Sequence, residues 1–337
     1  MGGAGGVICG MPFVIGVDLG GTKFAVGAMA ADGNSAHAFQ SELTLAEQGA
    51  DAVVGRIGAL VAKVIDETCG ETGASRNDFL GIGIGAPGPL RRKDGVVVVA
   101  PNLGWHDYPL AGRLQAATTL DTMLDNDANC ATLGEWWIGA ARGARNVVGI
   151  TIGTGIGGGL ILDGGLYHGS SDVAGEIGHT TIETAGRRCK CGNYGCLEAY
   201  ASGPNIAERA REALGADGAS LLHTVTAGDL SLLTAQHVYD AAQHGDEIAR
   251  EVVRDTARYL GAGVANLLNL FNPDVVVLAG GVTEAGELLL APLRAEVRRR
   301  AFRPAVDAAR IVPGTLGARA GVVGAVAMFL AGRHPTG

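Results

Sequence analysis

The stretch Asn146–Gly165, NVVGITIGTGIGGGLILDGG, repeats the layout of Val14–Gly33, VIGVDLGGTKFAVGAMAADG. Each contains an apolar run, a turn rich in glycine and threonine, a second apolar run and an Asp-Gly turn. Apolar runs bounded by such turns predict β-hairpins. Because the two copies lie far apart in the chain, we interpret them as a duplicated element, with one copy in each of two α/β domains.

The turns of the two hairpins are suited to bind phosphate. Their glycines let a ligand approach backbone N–H groups, and Lys23 adds a positive charge. Neither turn has the spacing of a Walker A loop, and where G-x-G-x-x-G occurs, at 83–88 and 153–158, no phosphate-binding helix is predicted to follow. The first turn alone fits an ordinary glycine-rich hairpin equally well, but the pair favours a nucleotide phosphate chain. The candidate residues are Gly20, Gly21, Thr22, Lys23, Gly153, Thr154 and Gly155.

Three further positions lie where predicted strands end. Asp127 stands between a strand and a helix, where it is either a helix cap or a general base; spacing alone does not separate the two. Asn102, in the loop PNLGW, is either a turn former or a ligand for a hydroxylated substrate. Gly280 and Gly281 follow a buried strand, a place where a nucleoside binds in open α/β sheets.

The stretch 176–198, EIGHTTIETAGRRCKCGNYGCLE, holds three of the six cysteines of the chain and one of its eight histidines. The residues His179, Cys189, Cys191 and Cys196 form a sufficient set of ligands for a closed, tetrahedral zinc site. Two carboxylates, Glu176 and Glu198, flank the set. A metal that holds this loop would therefore also hold both carboxylates in place.

Composition narrows the class of protein. With 337 residues the chain is long enough for two domains, and its net charge of -8 predicts no nucleic-acid partner. The longest apolar run near the end, 321–332, is too short to cross a bilayer, so no membrane association is expected. The start of the chain lacks the features of a signal peptide, and the cysteine usage suits a reducing compartment. We therefore expect a cytoplasmic protein.

Together, the motifs resemble the ROK family of bacterial sugar kinases and sugar-responsive repressors. The matching segments run in order along nearly the whole chain: DLGGTK at 18–23, NDAN at 126–129, IGTGIGGG at 152–159, EIGH at 176–179, CKCGNYGCLE at 189–198 and LAGG at 278–281. The resemblance implies an actin-like ATPase fold, related to ribonuclease H, with two α/β domains around a central cleft in which sugar and ATP meet. The domains would be 1–127 and 128–317, with the C-terminal helix, about 318–337, packing back on the first.

The resemblance also implies roles for particular residues. Asp127 matches the catalytic base, and the sugar-binding positions are matched by Asn102, Asn126, Asp127, Glu176, His179 and Glu198. The zinc ligands are matched by His179, Cys189, Cys191 and Cys196, and the hairpins with Gly280 and Gly281 match the phosphate and adenosine motifs. Asp18 is our candidate to hold Mg²⁺ through water. The implied assembly is a homodimer.

These observations predict an ATP-dependent hexokinase, with glucose as the first choice of substrate. Fructose, mannose, N-acetylglucosamine and N-acetylmannosamine remain alternatives, as does polyphosphate in place of ATP. A sugar-responsive transcriptional repressor is the alternative from another class. Because only 17 residues precede Asp18, we expect no DNA-binding module. An actin-like filament or chaperone ATPase would leave the cysteine–histidine loop unexplained.

Overall fold

The computed structural model describes residues 11–215, 220–281 and 285–333. The chain forms two compact units. Unit 1 comprises the described residues of Met1–Arg142, Leu166–Ala174 and Ala318–Gly337, and unit 2 those of Gly143–Gly165 and Gly175–Gly317. In the part of the chain that the structure describes, no helix is long and apolar enough to span a membrane.

Unit 1 is built on a five-stranded sheet with the order β3-β2-β1-β4-β8. The elements of the unit are β1 (Phe13–Leu19), β2 (Lys23–Ala30), β3 (Ala36–Leu43), α1 (Ala50–Thr72), β4 (Phe79–Ala86), β5 (Leu90–Arg91), β6 (Val96–Ala100), β7 (Trp105–Tyr108), α2 (Leu110–Thr118), β8 (Thr122–Asn126), α3 (Asp127–Trp137) and α11 (Ala320–Arg333). Strands β1, β2 and β3 pair antiparallel, whereas β4 and β8 continue the sheet in parallel with β1. A separate small sheet has the order β5-β6-β7.

Glycines in the strands of unit 1 allow α11 to lie directly on the sheet. A Cβ atom at Gly16 of β1 would overlap the carbonyl oxygen of Val322, and one at Gly83 of β4 would overlap that of Ala325. Strands with side chains at these positions would hold the helix away from the sheet. Helix α11 also packs closely on α3, because Gly324 lies against the carbonyl group of Cys130.

Unit 2 repeats the sheet of unit 1 with the order β11-β10-β9-β12-β13. Its elements are β9 (Val147–Ile152), β10 (Ile156–Leu162), β11 (Gly165–Leu166), α4 (Glu198–Ala201), α5 (Gly203–Leu214), α6 (Leu221–Val225), α7 (Ala235–Gln243), α8 (Glu247–Phe271), β12 (Val275–Ala279), α9 (Glu287–Arg300), α10 (Arg303–Ala308) and β13 (Arg310–Pro313). As in unit 1, the first hairpin, here β9-β10, is antiparallel, and two further strands, β12 and β13, are added in parallel.

Local features of the sequence determine where the long helix α8 begins and ends and which of its faces is buried. The side chain of Asp246 caps it by accepting a hydrogen bond from the N–H of Ala249 at 2.8 Å. It ends at Phe271, and the next residue, Asn272, caps it in the left-handed conformation (φ 44°) before Pro273. Its apolar face, which includes Val252, Leu260 and Val264, is buried in the core of unit 2.

The predicted α/β fold class is confirmed, because both units contain the same sheet order, as the actin-like ATPase fold requires. The division between the units differs from the predicted boundary after residue 127. Helix α3, which begins at Asp127, packs against α11 and belongs to unit 1, so the first break comes after Arg142. The segment Leu166–Ala174 also belongs to unit 1, although the residues on both sides of it belong to unit 2. The sequence did not predict that this segment, which lies inside the predicted second domain, belongs to unit 1.

Candidate active site

The turn between β1 and β2 is tight and is held by hydrogen bonds from a residue outside the hairpin. The N–H of Gly20 donates to the carbonyl oxygen of Lys23 at 3.0 Å. Thr44 donates its hydroxyl to the carbonyl oxygen of Gly20 at 2.8 Å and its N–H to that of Thr22 at 2.8 Å. A Cβ atom at Gly21 would lie 2.9 Å from the Cβ atom of Asn102. The fold thus brings the predicted sugar-binding Asn102 against the predicted phosphate-binding turn.

Asp18, at the end of β1, has an unusual environment for a carboxylate. Burial, together with the nearby Asp127 carboxylate, raises its pKa to about 7, although Lys23 acts in the opposite direction. Gly321 in the first turn of α11 leaves room for it, since a Cβ atom there would overlap the carboxylate. A carboxylate whose charged form is destabilised in this way is suited to bind a cation.

The start of α3 resolves the ambiguity over capping at Asp127. The side chain that caps this helix belongs to Asn126, whose Oδ1 atom accepts from the N–H groups of Ala128 at 2.9 Å and Asn129 at 3.2 Å. Asp127 occupies the first helical position, and its Oδ1 atom lies 2.8 Å from the N–H of Ala128. Because Asn126 supplies the cap, capping does not require a carboxylate at position 127.

In unit 2, the turn between β9 and β10 is linked to Glu198. The N–H of Gly153 donates to the carbonyl oxygen of Gly155 at 2.9 Å, which closes the turn. The next residue, Ile156, donates its N–H to Oε2 of Glu198 at 2.9 Å. A Cβ atom at Gly155 would lie only 2.7 Å from the same Oε2 atom. A side chain at Gly155 would therefore displace this carboxylate from the turn.

The four predicted zinc ligands come together in unit 2. One potential ligand atom from each of His179, Cys189, Cys191 and Cys196 lies within 4.8 Å of the other three. Nδ1 of His179 is 3.7 Å from Sγ of Cys189, and Sγ of Cys191 is 3.7 Å from Sγ of Cys196. Tetrahedral zinc with Zn–S bonds of about 2.3 Å separates its sulfur ligands by about 3.8 Å. The donor set and its spacing therefore fit a structural zinc ion.

The thiols of this cluster differ in their surroundings. Burial raises the pKa of Cys189 to about 12, and burial also raises that of Cys196. The backbone N–H of Asn193 lowers the pKa of Cys191, which is exposed. Two of the three thiols thus hold their protons strongly in the absence of a cation, and binding of a metal must displace those protons.

Glu176 and His179 lie in a short turn that is pressed onto β10. A Cβ atom at Gly178 would overlap the carbonyl oxygen of Ile156, so only glycine permits this approach. Glu176 is half exposed, and its Oε2 atom lies 4.0 Å from Nε2 of His179. Since Nδ1 faces the cysteines, Nε2 is the ring nitrogen available to a ligand on the other side. Sγ of Cys189 lies 3.8 Å from Oε1 of Glu198, so the cluster contacts both flanking carboxylates.

A cavity of about 470 Å³ lies in unit 2 beside the β9-β10 turn. Its lining includes the predicted Gly153, Thr154 and Gly281. The remaining lining residues are Ile152, Gly203, Pro204, Ala207, Arg211, Ser231, Leu233, Thr234, Ala235, Gln236 and Tyr239. Gly280, with a φ of 96°, packs its backbone against the carbonyl oxygen of Ile152. The mixture of apolar and polar groups suits a nucleoside.

Sequence reasoning missed the contribution of α5 and α7 to this cavity. The one available signal was Gly203-Pro204, which marks the start of a helix, and the N–H of Gly203 donates to the carbonyl oxygen of Gly153 at 2.8 Å. It also missed the buried Asp125, next to Asn126, and its contact with His168. Nothing in the spacing of those two residues indicates that they meet.

Comparison with known protein families identifies the class to which this fold and these sites belong. The model of the ROK family matches residues 14–331. The chain belongs to the ROK family. It is 39% identical to a glucokinase from Halalkalibacterium halodurans over 92% of this chain and 92% of that protein. It is 38% identical to a glucokinase from Thermotoga maritima over 94% of this chain and 96% of that protein. A xylose repressor from Caldicellulosiruptor bescii is 34% identical over 80% of this chain and 67% of its own length.

Solved structures agree with this membership. The crystal structure of a ROK family glucokinase from Streptomyces griseus, in complex with glucose and AMPPNP, superposes with a TM-score of 0.82 at 35% identity. That comparison covers 94% of this chain and 98% of the other. A ROK hexokinase from Thermus thermophilus gives a TM-score of 0.73 at 33% identity and covers 93% and 96% of the two chains.

Proposed function

We propose that the protein is an ATP-dependent hexokinase that converts glucose to glucose 6-phosphate. The observation that carries this proposal is the pair of carboxylates at the ends of two parallel strands of unit 1. Asp18 is the next-to-last residue of β1, Asp127 follows β8, and the charge of Asp127 contributes to the raised pKa of Asp18. One carboxylate would face a cation and the other a hydroxyl, the two tasks that phosphoryl transfer to an alcohol requires. The glucokinases named above support glucose as the acceptor.

In this mechanism Asp127 accepts the proton from a primary hydroxyl of the sugar as the oxygen attacks the γ-phosphate of ATP. Asp18 would hold Mg²⁺ through water, and the ion, when bound, would supply positive charge to the phosphates. The backbone N–H groups of the two hairpin turns and Lys23 bind the phosphate chain. The cavity beside Gly281 would take the adenosine.

Two of the polar groups proposed to bind the sugar are held in place by hydrogen bonds within the protein. The residues proposed to contact the sugar are Asn102, Asn126, Asp127, Glu176, His179 and Glu198. Asn126 is held by its two capping hydrogen bonds, and Glu198 by the N–H of Ile156. Side chains that are fixed before the substrate arrives lose little entropy when it binds.

Zinc would hold the sugar-binding loop and take no part in the chemistry. Nδ1 of His179 would bind the metal, and Nε2 would then keep its proton and donate it in a hydrogen bond to a sugar hydroxyl. The zinc-bound Cys189 would also fix the position of Glu198. A metal site with four protein ligands has no open position for a substrate, which is why we assign it a structural role.

A panel of sugars tests the substrate. Release of ADP is measured with glucose, fructose, mannose, N-acetylglucosamine and N-acetylmannosamine, and formation of sugar phosphate is measured with polyphosphate in place of ATP. We expect the highest kcat/KM with glucose and ATP. A higher value with another sugar would correct the substrate alone. The absence of transfer to every sugar, combined with sugar-dependent binding to DNA, would favour the repressor function that the xylose repressor suggests. The homodimer and the cytoplasmic location remain predictions, which sedimentation and cell fractionation would test.

A further inference from the structure

A cluster of charged residues around one fully buried carboxylate in unit 1 lies directly beside the proposed catalytic base. It consists of Arg92, Asp125, His168 and Asp172, which we call the Asp125 cluster. The side chain of Asp125 is 0% exposed, and its Oδ2 atom lies 2.8 Å from Nε2 of His168 and 2.9 Å from Nε of Arg92. A fully buried carboxylate is stable only when such partners compensate the loss of water. Burial by itself raises the pKa of Asp125, and His168 and Arg92 reverse this effect, so that the pKa is lowered.

The other carboxylate oxygen holds the start of α3. Oδ1 of Asp125 accepts from the backbone N–H of Asn126 at 2.7 Å and from Nδ2 of Asn129 at 3.0 Å. Asn126 is the helix cap and Asp127 is the proposed base. The backbone that carries these two residues is therefore anchored through the side chain immediately before them.

The two basic partners of Asp125, His168 and Arg92, connect the start of α3 to the segment Leu166–Ala174. His168 belongs to the segment, and Arg92 reaches a second residue of it, since the N–H of Arg92 donates to Oδ2 of Asp172 at 3.2 Å. Inside the segment, the N–H of Ala174 donates to the carbonyl oxygen of His168 at 3.1 Å. The segment is thus held at two points, and along the chain it leads directly to Gly175 and Glu176.

We propose that His168 and Asp125 are positioning residues for the sugar. They act through the base-bearing start of α3 and through the segment that precedes Glu176, and they do not touch the substrate. This inference rests on the proposed function, because it needs a sugar that contacts Asn126, Asp127 and Glu176. Loss of the His168 donor would disturb both elements at once. It would therefore raise the KM for glucose and lower kcat, but leave the KM for ATP nearly unchanged.

Two variants of His168 separate hydrogen bonding from packing. The side chain of His168→Gln presents an N–H donor near the position of Nε2, whereas His168→Leu fills similar space without a donor. We expect His168→Leu to raise the KM for glucose by about tenfold or more, as loss of a hydrogen bond to a charged group does. His168→Gln should stay within about threefold of the wild type, because the donor is retained. The matched control is His37→Leu, which breaks a surface pair between Nδ1 of His37 and Oε2 of Glu71, 3.1 Å apart, and should leave both KM values unchanged.

Several outcomes would overturn the inference. These are a wild-type KM for glucose in His168→Leu, equal losses in His168→Gln and His168→Leu, or an equal rise in the KM for ATP. If His168→Leu does not fold, Asp172→Ala replaces it, because this change removes the acceptor for the N–H of Arg92 and so loosens the segment, while the contacts of Asp125 with His168 and Arg92 are kept. A selective rise in the KM for glucose would then support the proposal, and an unchanged value would contradict it. Failure of the proposed function is separate, since it would show as absent glucose phosphorylation in the wild type.

Discussion

Oε2 of Glu198 accepts a hydrogen bond from the backbone N–H of Ile156 at 2.9 Å, so one carboxylate joins the α4 helix to the predicted phosphate-binding turn of unit 2. The other oxygen of the same carboxylate lies 3.8 Å from Sγ of Cys189. A residue that the sequence suggests for sugar binding therefore contacts both the predicted phosphate-binding turn and the candidate metal cluster. A substitution at position 198 that removes the hydrogen bond to Ile156 should for this reason weaken the binding of nucleotide as well as that of sugar.

Two substitutions at Glu198 test this connection. Glu198→Gln keeps an oxygen that accepts from Ile156, whereas Glu198→Ala leaves that N–H without its partner. Both should weaken glucose binding by about tenfold or more, because a charged hydrogen-bond acceptor is lost. Only Glu198→Ala should also raise the KM for ATP. Calorimetry with glucose and steady-state kinetics measure the two effects. A rise in the KM for ATP that is equally large in Glu198→Gln would show that the hydrogen bond to Ile156 does not matter.

Replacement of Asp127 should separate binding from chemistry. Asp127→Asn removes the base but keeps the cap of α3, which Asn126 supplies. We expect kcat to fall by about 10²–10⁴-fold, the usual contribution of a general base, with little change in glucose affinity or melting temperature. The matched variant Asn126→Ala should instead lower the free energy of unfolding by about 1 kcal/mol through loss of the cap. Turnover near that of the wild type in Asp127→Asn would remove Asp127 from the mechanism.

The raised pKa of Asp18 predicts a pH dependence of stability. Its pKa is about 7 in the folded protein and 3.8 in an ordinary setting, so between these values the folded state holds more protons than the unfolded state. Stability of the protein without magnesium and nucleotide should therefore fall as the pH rises through this window. Asp18→Asn should flatten this decline and raise the melting temperature at pH 8, although it abolishes Mg-ATP turnover. Melting curves between pH 4.5 and 8 measure the difference, and parallel curves for the two proteins would contradict it.

Removal of one cysteine should release the metal. Cys191 is exposed, so Cys191→Ala opens no buried cavity, yet it removes one of four predicted ligands. We expect zinc content to fall from about one ion per chain to a small fraction, and glucose affinity to fall with it. Cys69→Ala is the control, since this cysteine lies in α1 outside the cluster. Mass spectrometry of the native protein measures the zinc content. Equal content in both variants would refute the metal site.

The contact of α11 with the sheet of unit 1 can be tested by adding a methyl group. In Gly83→Ala the new Cβ atom would overlap the carbonyl oxygen of Ala325, and backbone cannot yield easily. Overpacking of this kind should lower the free energy of unfolding by about 3 kcal/mol. Gly55→Ala, in the exposed part of α1 with no heavy atom within 4 Å of the new Cβ, should instead stabilise by about 0.5–1 kcal/mol. Denaturant titration compares them, and equal effects would contradict the close packing.

Much of the fold could be read from local patterns. The duplicated hairpins predicted two α/β domains, and the Cys/His spacing predicted a cluster whose atoms the fold brings within 4.8 Å. Such signals are local, since turns and strands depend on neighbouring residues. The predicted boundary after residue 127 put α3 in the second domain, whereas this helix belongs to unit 1. It belongs there because it packs on α11, and that contact joins residues far apart in the chain. The ambiguity at Asp127 also needed the structure, since only geometry shows that Asn126 provides the cap.

The sequence by itself determined the family, the hairpin turns and the identity of the candidate metal ligands, because each depends on residue type at short spacing. The tertiary structure decided which distant groups share an environment. It placed Asp127 close enough to Asp18 to influence its pKa, joined Glu198 to Ile156, and buried Asp125 between Arg92 and His168. These relationships arise when the sheets form and exclude water, since the strength of a charge or a hydrogen bond depends on what surrounds it. That surrounding is a property of the folded chain as a whole.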